Sequence, residues 1–329
     1  MRLTLRSVCV ASTLAASVGS AQQTPDTSPH QAKFVRIAPD VQLEVLDWGG
    51  SGRPVVLLAG LGGTAHDFDA FGPKLAAHYH IVAVTRRGFG RSSVPPNGYG
   101  ADTLAADILA VIDSLELRRP VIAGHSQAGE ELSSIGFRHP EKVSGLVYLD
   151  AGYDYAFYDE SHGNLTIDIN EIIGRLSQLR FGSGVSPYDQ RNAMLSLADT
   201  VLPKFLDGLR GVLQEPSPPV GPAPRAMARV PYAVISGERK YTIVHGPVLA
   251  IFASPPAAPP GADNDPAMRA VIAEVDSATA LQVGAFARGV PQARVIRLPR
   301  ASHFVFRSNE ADVLREMVAF IDSLPAVPH

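Results

Sequence analysis

Cysteine is almost missing from this chain: of 329 residues, only Cys9 carries a thiol. An intrachain disulfide, a thiolate metal site and, given where Cys9 sits, a cysteine nucleophile are excluded. Charge is also sparse, at 19% of residues, and nearly balanced, with 29 Lys and Arg against 32 Asp and Glu for a formal net charge of −3. No basic run forms, so nothing points to nucleic acid or an anionic membrane surface as partner. No two histidines or carboxylates stand at metal-ligand spacing with supporting neighbours, and no metal is expected. Internal repeats are absent, and no apolar run is long enough to anchor the chain in a bilayer. What remains is a globular composition, 46% hydrophobic, with length for one large α/β domain or two small ones.

The first residues read as a targeting segment. Arg2 and Arg6 form a positive start, Val8 to Val18 a small-residue apolar stretch, and Gly19-Ser20-Ala21 a cleavage site. This pattern predicts a signal peptide over 1–21, and hence a secreted or periplasmic protein. Cys9 lies inside it, without the context of a lipid-modified cysteine. A polar linker follows over 22–32.

From there the chain alternates strand-like runs with helical patterns. Residues 33–37 and 42–48 predict a hairpin turned at Pro39-Asp40. Pro54–Ala59 (PVVLLA) is a continuous apolar run, as a strand buried on both faces should be. A helix is predicted over 66–77, a strand over 80–85, a helix over 101–117, a strand over 120–123, a helix over 127–138 and a strand over 143–149. That alternation means βαβ crossovers and a mostly parallel twisted sheet with helices on both faces. The rhythm breaks over 153–240, which is helix-leaning and reads as an inserted cap. Strand runs return at 246–253 and 293–298, with helices near 266–288 and 309–324. One core, 33–152 with 241–329, carrying one insertion, fits this order.

Gly124-His125-Ser126-Gln127-Ala128-Gly129 falls between a buried strand and a helix. A nucleophile elbow has G-x-S-x-G in that setting, because small neighbours allow the sharp turn that exposes the serine. Here Ala128 stands where the second glycine is usual, with Gly129 expected to add flexibility. The alternative is a plain helix-capping serine. The loop Gly60-Leu61-Gly62-Gly63 follows an earlier strand and can supply one oxyanion donor, the Leu61 N–H, with Gln127 N–H as the other. Such donors are worth roughly 3 kcal/mol each in a transition state. The same loop also satisfies G-x-G-x-x-A through Gly60, Gly62 and Ala65, the mark of an NADP-dependent reductase. Against that stand the preceding hairpin, the export signal and the serine elbow.

A base for Ser126 must come later in the chain, in the order Ser…acid…His. His303, in the loop after the last strand, meets that order. The acid holds the imidazole tautomer and must sit at the same sheet edge. Asp150 ends the strand after the elbow, whereas Asp263 and Asp265 are the carboxylates after the penultimate strand. Asp150 is preferred, with Asp263 and Asp265 kept as alternatives. Glu130 and Glu131 read as favourable charge at a helix N-terminus. Tyr153, Tyr155, Phe157 and Tyr158 either line a pocket or pack the insertion onto the core.

The segments AGLGGTAHDF (59–68), TRRGFGRSS (85–93), AGHSQAGEELS (123–133), GLVYLDAG (145–152) and LPRASHFVF (298–306) together resemble the α/β-hydrolase superfamily. The second is similar to its D-x-R-G-x-G-x-S turn, with Arg86 in place of the usual neighbour. The first looks like its H-G-x oxyanion segment, with Ala59 where histidine is usual, which loses a side chain that often buttresses the loop. An acid after the sixth strand resembles the haloalkane dehalogenase arrangement, but those enzymes use an aspartate nucleophile and this chain has Ser126. The resemblance implies a cofactor-free serine hydrolase acting on a small-molecule ester or lactone, with no obligate protein partner. Perhydrolase, C–C hydrolase or lyase chemistry on the same residues is the alternative within the fold.

Overall fold

The computed structural model describes residues 28–161, 163–178, 186–213, 228–258 and 266–326. Eight strands form one sheet: β1 (Gln31–Ala38), β2 (Val41–Gly49), β3 (Pro54–Leu58), β4 (His80–Val84), β5 (Val121–His125), β6 (Gly145–Leu149), β7 (Val248–Ala253) and β8 (Ala293–Leu298). Their spatial order is β1-β2-β4-β3-β5-β6-β7-β8. The β1–β2 hairpin is antiparallel, β2 also runs antiparallel to β4, and every later pairing is parallel.

The continuous apolar runs have a simple cause: each central strand is buried on both faces. Val56 and Leu58 of β3, Ile122 of β5 and Tyr148 of β6 face one core. It is closed by α2 (Ala101–Ser114), α3 (Gly129–Arg138) and α8 (Pro266–Gly289). Val55 and Leu57, Ala123 and Val147 face the other. There they meet α1 (Gly72–Ala76), α9 (Val305–Ser308) and α10 (Glu310–Ser323). Between β6 and β7 the chain forms α4 (Leu165–Gln178), α5 (Pro187–Ser196), α6 (Leu202–Leu213) and α7 (Arg229–Ile235). A π-helical stretch, Leu197–Val201, joins α5 to α6. Among the described residues, α8 alone is long and apolar enough to cross a membrane by length and composition. Its Val283 and Phe286 pack into the first core.

The largest departure from expectation is in the segment after β3. The helix predicted over 66–77 is a single 3-10 turn, Ala65–Phe68, followed by the short α1. Pro73 is the reason: inside a continuous helix it would lack a donor and its ring would strike the carbonyl four residues back. It sits in the first turn of α1 instead, where neither problem arises. The elements at 127–138 and 101–117 are also shorter than predicted, being a 3-10 turn (Ser126–Ala128) leading into α3, and α2 ending at Ser114.

Candidate active site

At the end of β5 the chain reverses at Ser126, whose φ is +52°. A non-glycine residue in that region is strained by roughly 1–3 kcal/mol and persists only when its surroundings hold it. They do so by close packing. A Cβ on Gly124 would lie 2.6 Å from Leu132 Cδ1 and 3.0 Å from the Ala128 methyl. The methyl at Ala128 is therefore accommodated because Gly124 leaves the space. Gly129 was expected to supply flexibility, and this needs correction. Its backbone is ordinary helix, φ −57°, but a Cβ there would fall 1.9 Å from the Ala151 carbonyl oxygen. Glycine is required there for close approach of α3 to the chain leaving β6.

His303 lies between β8 and α9, and Asp150 directly follows β6. His303 Nε2 is 2.8 Å from Ser126 Oγ, and His303 Nδ1 is 2.7 Å from Asp150 Oδ2. A carboxylate can only accept, so Nδ1 carries the proton and Nε2 is left to accept from the serine hydroxyl. Asp150, with φ +49°, is pinned to the neighbouring strand. Its N–H donates to Ile251 O at 2.7 Å, and its Oδ1 accepts from Ala253 N–H at 2.9 Å and from the Tyr153 hydroxyl. The rival acids Asp263 and Asp265 lie outside the described residues.

His125 is a site residue that sequence reasoning passed over. It is buried, and its ring lies 4.6 Å from that of His303. Its Nε2 donates to the His303 carbonyl at 3.0 Å. Burial, then the neighbouring His303, pushes its pKa down to about 3, so it acts as a neutral prop under the loop. The only sequence signal was its position inside the elbow hexapeptide.

Leu61 and Gln127 each follow one of two residues that pack against each other, Gly60 and Ser126. Gly60 is packed so closely on the elbow that a Cβ would lie 2.9 Å from Ser126 Cβ. Gly63 N–H donates back to Gly60 O at 3.1 Å, closing a turn through Gly62 at φ +81°. The loop thus leads into a 3-10 turn rather than the helix N-terminus that a pyrophosphate needs, and its first glycine faces the serine. That geometry removes the structural basis of the reductase reading. Gln127 Nε2 donates to Glu238 Oε1 at 2.9 Å, and burial raises the Glu238 pKa to about 7.

Glu130 and Glu131 do lie in the first turn of α3, but both are fully buried. Glu131 is bridged to Arg86. Burial, then Glu131 and Glu238, raises the Glu130 carboxyl well above its ordinary range. Sequence spacing could not show that α3 turns this face inward. Three of the four aromatics, Tyr153, Tyr155 and Phe157, pack onto the first core. Tyr153 also bonds Asp150, Phe157 packs on Phe286, and Tyr158 bonds Asp168. Among the described residues no group of three His, Cys, Asp or Glu side chains is placed to hold a metal ion.

A family model described as the alpha/beta hydrolase family matches residues 55–316, most of the chain. The chain belongs to the α/β-hydrolase family. Within that family it is 33% identical over 138 residues to a putative non-heme haloperoxidase of Mycobacterium phage D29, covering 42% of this chain and 48% of the phage protein. It is 39% identical over 108 residues to a non-heme chloroperoxidase of Streptomyces lividans, covering 32% and 39%. A putative carbamate hydrolase of Caulobacter segnis is 34% identical over 110 residues, covering 32% and 41%. The matched segments span less than half the length of these curated relatives. Among solved structures, an E-2-(acetamidomethylene)succinate hydrolase aligns with TM-score 0.55 at 22% identity over 89% of this chain and all of that one. A thermophilic esterase from Thermogutta terrifontis aligns with TM-score 0.54 at 18% identity, over 89% and 98%. These likenesses establish the fold.

Proposed function

We propose that this α/β-hydrolase is a serine hydrolase that cleaves a carboxylic ester or lactone through an acyl-serine, without a cofactor. The observation that carries the reading is the hydrogen-bonded line Ser126 Oγ–His303 Nε2 and His303 Nδ1–Asp150 Oδ2, at 2.8 and 2.7 Å. His303 takes the Ser126 proton as Oγ attacks the acyl carbonyl, and Asp150 steadies the imidazolium that forms. The Leu61 and Gln127 N–H groups receive the oxyanion. His303 then protonates the leaving alcohol, and water, deprotonated by His303, releases the acid. The insertion over 153–240 caps the site and sets substrate size. The signal segment 1–21 lies outside the described residues. Its part of the proposal, export and cleavage after Ser20 or Ala21, is tested by N-terminal sequencing of protein recovered outside the cytoplasm.

The direct test is a p-nitrophenyl ester series with wild type and Ser126→Ala. Loss of kcat by roughly 10⁶-fold in the variant is expected, by analogy with nucleophile deletions in other serine hydrolases. Turnover that survives Ser126→Ala would overturn the mechanism. The relatives named haloperoxidase and chloroperoxidase favour a second reading, in which hydrogen peroxide replaces water as acceptor. The same acyl-serine then gives a peracid and free serine. Peracid formed in place of acid when peroxide is added to the ester assay supports it.

A further inference from the structure

Two of the three arginines of the 85–93 turn do different work. Arg87 pairs with Asp107 on α2. Arg86 turns the other way, into the interior, where it is 6% exposed and Glu131 is 1%. Its Nε and Nη2 donate to the two carboxylate oxygens of Glu131, on the helix that starts at the nucleophile, with Nη2 to Oε2 at 3.0 Å. Its Nη1 donates to Gly60 O and its Nη2 to Ala59 O, each at 3.3 Å. One guanidinium thus joins the two halves of the oxyanion site from behind. Burial works against its charge, yet Glu131 more than offsets it and holds the pKa above the ordinary arginine value.

We propose that Arg86, held by Glu131, is a positioning residue that aims the Leu61 N–H at the oxyanion. This rests on the hydrolase reading above. The argument is the geometry of one peptide unit. In a trans peptide the C=O of Gly60 and the N–H of Leu61 point to opposite sides of the same plane. Gly60 O is turned inward to Arg86 and to Gly63 N–H, so the Leu61 N–H is turned away from Arg86, next to a Gly60 that packs directly on Ser126. Glycine at 60 offers little intrinsic resistance to a peptide flip, so the orientation has to be imposed. This chain has Ala59 where the resemblance leads one to expect a histidine buttress, and Arg86 occupies the Ala59 and Gly60 carbonyls from the next strand's turn. The bidentate fork matters: a lysine has no planar fork to bridge a carboxylate and two carbonyls at once.

The test compares wild type with Arg86→Met/Glu131→Leu and with Arg86→Lys. The double variant removes the buried pair together, which other proteins tolerate far better than loss of one partner. Thermal unfolding checks that it folds. Fluorophosphonate labelling of wild-type Ser126 checks the underlying mechanism: no labelling sinks the hydrolase reading itself and leaves the clamp without a reaction to serve. With labelling present, the double variant should lose about 10- to 100-fold in kcat with KM little changed, short of the 10²–10³ reported when an oxyanion donor is removed outright. Affinity for a trifluoromethyl ketone, which forms a tetrahedral oxyanion on Ser126, should fall in parallel, and Arg86→Lys should not restore either. A folded double variant with wild-type kcat and ketone affinity would overturn the proposal, as would a loss confined to KM.

Discussion

The sheet with its two flanking helix layers and the insertion between β6 and β7 are built on different principles. In the sheet, alternate residues of the same strand serve two cores, and Val55, Val56, Leu57 and Ile122 are wholly inaccessible. In α4 to α7, Ile167, Leu197 and Val234 are buried, while Ile173, Leu176, Leu195 and Tyr232 are half or more exposed. The insertion is tied to the rest by polar links: Arg229 to the Pro96 carbonyl, the Ala101 N–H to the Gly237 carbonyl, and Gln127 to Glu238. A site that depends on ångström-level placement of Ser126, His303 and Asp150 stands on the close-packed part. The looser part reaches it through a few side chains, as the proposed role in shaping access rather than chemistry requires.

The sharpest way to break that contrast is to change one carboxylate on each side. Asp150→Asn should lower kcat by about 10⁴-fold, since the imidazole loses the partner that fixes its tautomer. Asp168→Asn, in the insertion, should leave kcat close to wild type. Equal losses in ester turnover would mean that the insertion shares the chemistry. The next comparison is energetic. Leu57→Ala should cost about 2–5 kcal/mol of unfolding free energy in urea titration. Ile173→Ala, 59% exposed, should cost about 0.5 kcal/mol or less. A large cost at Ile173 would reveal a covered face.

The smallest effect concerns the link itself. Glu238 titrates near 7 when folded against an ordinary value of 4.5. Between those values the folded chain binds more protons than the unfolded one. Stability therefore falls as pH rises through that window and levels off above it. His125, lowered to about 3 from 6.5, acts in the opposite sense, losing stability as pH falls through 6.5 toward 3. Glu238→Gln retains an acceptor for Gln127 and should remove only the first contribution, giving a Tm that declines less than wild type between pH 5 and 8. Parallel Tm profiles for the two proteins would mean that Glu238 ionises freely.

Much of this was legible in the chain. Strand positions followed from continuous apolar runs, and the order Ser126, Asp150, His303 from the requirement that all three reach one sheet edge. Illegible were the contributions of His125, Glu130, Glu131 and Arg86. Each depends on a partner tens of residues away or on which face a helix turns inward. Arg86 and Glu131 are 45 positions apart, and nothing local to either announces the other.

Taken alone, the sequence determined the alternation of elements, the buried strands and the candidate nucleophile, because periodicity and strand–turn–helix chemistry act within a few residues. Tertiary structure decided the rest. It broke the 66–77 helix at Pro73, made Gly129 a contact glycine and turned two helix-start glutamates into buried groups. It also closed Ser126, His303 and Asp150 into one hydrogen-bonded line. Those outcomes depend on which surfaces pack together, and long-range packing with its desolvation leaves no periodic trace in a single chain.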